Sequence, residues 1–308
     1  MAKILVTGSK GSLGQPLIKE LERRGHEVWQ VDLQHHLDDH YIRADISSYR
    51  QLERVFQQRY DYVYHLAAEF GRINGEEYYD TLWQTNVIGT RNILEWQKQK
   101  GFRLIFASSS EIYGEVDADI LSEYLPLHQS IIQLNDYAIS KWVNELQCMN
   151  FEKRFGSEIV RCRFFNAYGP GEHYTNYRSV VCLFCYRALH DLPYQVYQNY
   201  NRVFMYIDDF IPTLANVADR FTPGELYNIG GHEYRGVEDL SEVILNYLGL
   251  DDSRVVYLPQ DVHNVKNKRP DITRARQFLD HDPKITLEEG IPKTIEWMRK
   301  VYADTVKH

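Results

Sequence analysis

Residues 3–14 read KILVTGSKGSLG, and no other stretch limits the fold as tightly. A short β-branched run ends in Gly8, Gly11 and Gly14, spaced G-x-x-G-x-x-G, and a helical pattern follows at once. Without side chains, such a turn bends sharply and lets a pyrophosphate reach the backbone, where the N-terminus of the next helix offers amide donors and a positive dipole end. The next apolar run, EVWQVD, ends in Asp32, 18 residues after Gly14. A carboxylate there accepts hydrogen bonds from the adenosine ribose and repels a 2′-phosphate, and the following LQHH brings no arginine to welcome one. The reading is an NAD site rather than an NADP site.

The rest of the first half keeps this rhythm. Apolar runs at Tyr41–Ile46, Tyr62–Ala68, Arg103–Ser110 and Glu158–Asn166 alternate with helical patterns, among them Tyr78–Lys100 and Asp136–Phe155. Such alternation predicts an α/β chain: a Rossmann-like, doubly wound parallel sheet. After NAYGPG the rhythm breaks into shorter, aromatic-rich elements, which predict a smaller C-terminal α/β substrate lobe over the carboxyl edge of the sheet. The expected division is an NAD-binding domain over residues 1–168, completed by segments near 203–219 and 226–231, and a mainly substrate-binding lobe over 169–308.

A net charge of −8 argues against a nucleic-acid or membrane surface. No apolar run reaches membrane-spanning length, and a strand and glycine loop stand where a signal peptide would. Four cysteines in 308 residues suggest reduced thiols in a cytoplasm. Cys182 and Cys185 form a C-x-x-C, but inside the apolar run VVCLFCYRAL, and His35 and His36 are adjacent in a polar loop. Neither pattern suits a metal, and none is expected.

Chemistry enters with NDYAISKW. Tyr137 and Lys141 are four apart and share a helix face. An ammonium beside a phenol favours the phenolate, which can take a proton from a sugar hydroxyl as hydride leaves. Ser109, at the end of the run RLIFASSS, can hydrogen-bond the same hydroxyl. With VTGSKGSLG, ADI, HLAA, TNVIGT, SSSEIYGE, RFFNAYGPG, YIDD, YNIGG and KRPDITRARQFL in this order, the chain resembles the extended short-chain dehydrogenase/reductases, in particular the NAD-dependent nucleotide-sugar epimerase/dehydratase family.

The resemblance implies roles residue by residue. Catalysis falls to Ser109, Ser110, Glu111, Tyr137 and Lys141. The cofactor is bordered by Gly8, Ser9, Gly11, Ser12, Leu13, Gly14, Asp32, Asp45, Ile46, Leu66, Ala67, Ala68, Asn86, Ser108, Tyr137, Lys141 and Phe164. The substrate meets Asn166, Tyr197, Arg202 and Arg269, the two arginines holding its diphosphate as permanently charged forks. Two segments depart from the family pattern: VYQNYNRVF lacks the usual glycines before Arg202, and the stretch EFGRINGEEYYD (Glu69–Asp80) is unusual. Both face the substrate in the family.

Such enzymes oxidise the sugar at C4. Ser110 and Glu111 then favour further chemistry at C5 and C6, as in a 4,6-dehydratase or a UDP-glucuronate decarboxylase, over plain 4-epimerisation. A keto-sugar reductase is a further alternative, and a non-enzymatic NAD sensor a remote one. The expected partners are a nucleotide-diphosphate sugar and a second copy of the chain, a homodimer packed through helices near Tyr78–Lys100 and Asp136–Phe155, with Trp83, Val87, Trp142 and Leu146 as candidates for its face.

Overall fold

The computed structural model describes residues 1–261 and 264–303. The first half runs β1 (Lys3–Thr7), α1 (Gly14–Arg23), β2 (Glu27–Asp32), β3 (Tyr41–Arg43), α2 (Tyr49–Val55) and β4 (Tyr62–His65). Next come α3 (Arg72–Glu77), α4 (Tyr79–Trp83), a π-helical turn over Gln84–Ile88, α5 (Gly89–Lys100) and β5 (Arg103–Ser109). A 3₁₀ turn (Ser110–Tyr113), α6 (Leu125–His128), α7 (Asp136–Phe155), β6 (Ile159–Phe164) and β7 (Ala167–Tyr168) follow. The second half holds α8 (Val180–Leu189), β8 (Tyr194–Tyr197), β9 (Asn201–Val203), β10 (Met205–Tyr206), α9 (Ile207–Asp219) and β11 (Leu226–Ile229). It ends with β12 (Tyr234–Gly236), α10 (Val237–Leu248), β13 (Val255–Leu258), β14 (Asn267–Lys268), α11 (Thr273–Leu279) and α12 (Leu287–Val301).

Seven strands form one sheet in the order β11-β6-β5-β4-β1-β2-β3. Every pair in it is parallel. The pleat sends alternate residues to opposite faces: Ile4 and Val6 join a core that includes α1 and α9, while Leu5 joins one that includes α2 and α5. Strand order reverses between β1 and β4, and the crevice beyond the carboxyl ends there is where open α/β sheets bind ligands. The second half adds three small sheets, β12-β9-β14, β13-β8 and β10-β7.

Several expected strands are shorter than the apolar runs that announced them. The third stops at Arg43, where the chain turns into an Asx turn: Asp45 Oδ1 accepts from Ser47 N at 2.8 Å. The fourth ends at His65, and β6 ends at Phe164 before Asn166 takes a positive φ of 39°. The long helix near Tyr78–Lys100 is three consecutive pieces with the π turn in the middle. Cys182 and Cys185 are buried free thiols on α8.

Candidate active site

The glycine loop closes on itself. Gly8 adopts φ 71°, and a Cβ there would lie 2.8 Å from Ala67 N; one on Gly14 would lie 2.3 Å from Gly8 O. Beside them Ser9 is fully buried, and its hydroxyl has no partner among the described residues. A buried orphan hydroxyl at a glycine turn opening a helix fits a pyrophosphate cradle. At the end of β2, Asp32 Oδ2 accepts from Lys10 N at 2.8 Å, and Oδ1 accepts from Leu33 N at 2.8 Å. Lys10, overlooked in the sequence, brings an ammonium close to Asp32, but that ammonium donates to Gln30 Oε1 and covers the Tyr41 ring. Leu66, Ala67 and Ala68 line the next strand's exit, half-buried. Asp45 and Ile46 sit past β3, where Ile46 packs on Gly89.

Behind this edge runs a braced layer. His65 bridges Thr7 (2.8 Å) and Thr90 (3.1 Å), and burial, aided by the Lys141 charge, lowers its imidazole to about 3. Asn86, in the π turn, accepts from Glu69 N at 2.8 Å and donates to Ser140 Oγ at 3.0 Å, tying the loop after β4 to α7.

Ser109 ends β5, and its Oγ accepts from Glu111 N at 3.2 Å, capping the 3₁₀ turn. Asn135 caps α7 and starts the helix that carries Tyr137 and Lys141. Burial pushes the Tyr137 phenol up to about 12; a hydrogen bond with Ser109 opposes this and the Glu111 charge adds to it. Burial also lowers Lys141 to about 8. Its Nζ donates to Ala107 O at 2.9 Å and lies 5.9 Å from the centre of the Tyr137 ring. In this dry pocket desolvation disfavours the phenolate.

Glu111 has a partner that the sequence reading missed. Lys268, at the end of β14, is buried and forms an ion pair with Glu111 Oε1. Burial raises Glu111, but the charge and hydrogen bond of Lys268, with help from Arg72 and Arg202, hold its carboxyl at about 2. Arg72 comes from α3, inside the unusual Glu69–Asp80 stretch, and donates to Asp261 Oδ2 at 2.7 Å. The same helix backs the catalytic tyrosine: a Cβ on Gly75 would lie 3.3 Å from Tyr137 N, and Glu76 Oε1 accepts from Asp136 N at 3.1 Å.

The remaining expected residues have the following surroundings. Ser108 turns from the cofactor edge into the interior, donating to Glu145, which Arg163 grips through Nε at 2.9 Å and Nη2 at 2.8 Å. Arg202 is buried, and its two terminal nitrogens are spent on Asn201 O, Lys266 O, Asn264 Oδ1 and Val265 O. Arg269 is exposed, its guanidinium 5.7 Å from the Tyr234 ring, while its neighbour Lys268 faces inward. Tyr197 is half-buried at the end of β8, and Asn166 donates to Val203 O at 2.9 Å. Phe164 meets Phe210 edge-on at 4.8 Å. Within VYQNYNRVF, Asn199 takes φ 62°, a conformation asparagine tolerates better than most residues.

A doubly wound sheet with a glycine cradle, an acidic residue at the end of β2 and a Ser–Tyr–Lys group beside the switch point defines a dehydrogenase-like, NAD-dependent enzyme. The chain belongs to the NAD dependent epimerase/dehydratase family, whose model matches residues 4–230. It is 28% identical over 321 residues to UDP-N-acetyl-alpha-D-glucosaminuronate decarboxylase of Bacillus cytotoxicus, covering 98% of this chain and 99% of the relative. UDP-glucuronic acid decarboxylase 1 of Xenopus tropicalis is 30% identical over 308 residues, covering 97% of this chain and 72% of the relative. Among solved structures, UDP-glucuronic acid 4-epimerase from Bacillus cereus, in complex with UDP-glucuronic acid and NAD, superposes with a TM-score of 0.84. It is 25% identical and covers 97% of this chain and 100% of that one. The protein is an NAD-dependent nucleotide-sugar modifying enzyme.

Proposed function

We propose that the enzyme decarboxylates a nucleotide-linked uronic acid, and the observation that carries this is the buried Glu111–Lys268 pair one turn from Ser109. A 4-epimerase needs no acid–base group beyond those at C4. A decarboxylase must return a proton to C5 after the C5–C6 bond has broken and its electrons have moved toward the C4 carbonyl. A polarised ammonium–carboxylate pair in which the lysine is buried and lowered to about 8 is a proton source suited to that step. The decarboxylase relatives support the reading.

In this scheme Gly8, Ser9 and Gly14 cradle the cofactor pyrophosphate, and Asp32 holds its adenosine ribose. Bound NAD supplies a reversible hydride acceptor and, in its oxidised form, positive charge that favours a phenolate at Tyr137. Tyr137 takes the C4 hydroxyl proton, Ser109 orients that hydroxyl, and Lys141, fixed by Ala107 O, holds the tyrosine's surroundings positive. Ser110 and Glu111 face C5 and C6. The second copy expected of the family would pack on the π turn, α5 and α7, where Ile88, Leu146 and Phe155 are exposed. Trp142 is partly buried against the cluster of Ile112 and Tyr113. Four free cysteines suit a cytoplasmic setting.

The test is incubation with UDP-, dTDP- and GDP-linked hexoses and uronates under mass spectrometry. Loss of CO₂ from a uronate is the expected result, with Glu111→Gln accumulating the 4-keto sugar. Loss of water would make it a dehydratase, and an unchanged mass with an inverted C4 would overturn the C5 role of Glu111.

A further inference from the structure

The unusual α3 segment places a third cation in the polar pocket, and its donors are the least committed. Arg202 has spent both terminal nitrogens on the 264–266 loop and Asn201 O. Lys268 is held by Glu111. Arg72 donates one N–H to Asp261 Oδ2. A guanidinium has five donors, so four remain outside the hydrogen bonds of the described residues, and the side chain keeps 27% of its exposure. Its charge is felt by Glu111, Lys268, Arg202 and Tyr197, so it stands among them. Among the described residues, the carboxylates paired with these three cations are Glu111 and Asp261. The pocket is therefore short of one negative charge.

We propose that Arg72 recognises a carboxylate on the sugar of the substrate and sets the enzyme's preference for uronic acids over neutral hexoses. The proposal rests on the nucleotide-sugar reading but not on whether decarboxylation or epimerisation follows. Position selects the sugar end over the diphosphate, because α3 lies against the backbone of Tyr137 and its arginine couples to Glu111. Chemistry selects a carboxylate, since the planar fork can take both oxygens while one N–H stays on Asp261. Glu111 would repel an incoming carboxylate, and Lys268 is already engaged with it. Arg72 is the group that makes a uronate tolerable.

The experiment is calorimetric titration of UDP-glucuronate and UDP-glucose into NAD-loaded protein in the Tyr137→Phe background, with Arg72 intact, R72M or R72K. R72M should weaken UDP-glucuronate binding about tenfold or more and UDP-glucose binding less than about twofold, with R72K in between. R72K also serves if R72M fails to fold. Equal weakening of both ligands would assign Arg72 to the diphosphate and overturn the proposal. No weakening of either would reduce Arg72 to a latch on Asp261 and overturn it too. If neither nucleotide sugar binds with Arg72 intact, the underlying reading falls with it.

Discussion

Removing Lys268 alone tests the strongest electrostatic contact in the site. In the intact protein Lys268 is 2% exposed and Glu111 21%. Burial raises the carboxyl, yet the ammonium overrides it and brings the group from 4.5 to about 2, worth ~3 kcal/mol in favour of the folded state above the ordinary carboxylate range. At the other end burial prevails: Lys268 falls from 10.5 to about 8 despite Glu111. The two ends pull in opposite senses, so the intact pair contributes little net stability, as buried pairs commonly do. What it does contain is coupling. In a double-mutant cycle of K268M, E111Q and K268M/E111Q, read by urea unfolding at neutral pH, the coupling energy should be ~3 kcal/mol or more, with the double variant more stable than the sum of the singles predicts. The pH dependence carries a sign at each end. Glu111 stabilises above about 4.5 and loses this as pH falls toward about 2, and K268M, by letting burial raise the carboxyl, should shrink or abolish that loss. Lys268 burdens the fold below about 8, so wild type should gain stability between about 8 and 10.5, a gain that K268M lacks. A coupling below ~1 kcal/mol, or an unchanged acid limb in K268M, would refute the reasoning.

Other perturbations probe the rest of the site. Gly75→Ala sets a methyl 2.9 Å from Leu82 Cδ1 and 3.3 Å from Tyr137 N, so the tyrosine must shift. Steady-state kinetics should show kcat down about tenfold with KM nearly constant. Gly8→Ala meets both a φ of 71° and Ala67 N at 2.8 Å. The variant should purify with far less NAD, measured as cofactor released on denaturation. Glu145→Gln leaves the Arg163 guanidinium buried without its carboxylate, and urea midpoints should report a loss of ~3–5 kcal/mol.

The fold was legible because its signals are local and periodic. α7 was readable to the residue, since Asn135 caps it and Gly156 closes it in the left-handed conformation. Glycine spacing and the carboxylate ending β2 likewise announce themselves in sequence. The lysine partner of Glu111 did not. Lys268 and Arg269 are neighbours on an extended segment, where successive side chains point to opposite sides, and nothing in KRPD says which one faces in. Of the two, Lys268 is the buried member and Arg269 the exposed one. Arg72 lay hidden for a different reason: its role depends on α3 folding back onto α7, a long-range packing that no periodicity reveals. Spacing shows that Lys141 is near Tyr137 but not how dry the pocket is.

The placement of β11 bears on how the protein is made. Strand β6, carrying the buried Val160, Cys162 and Arg163, borders β5 on one side and β11 on the other, yet β11 is not synthesised until residue 229. While the ribosome is still extending the intervening segment, the outer edge of β6 has no strand to bond to. Such an edge is a template for pairing with another nascent chain. The interval between the emergence of β6 and that of β11 is therefore aggregation-prone, and a chaperone that shields the chain there should raise its yield more than one that acts after release.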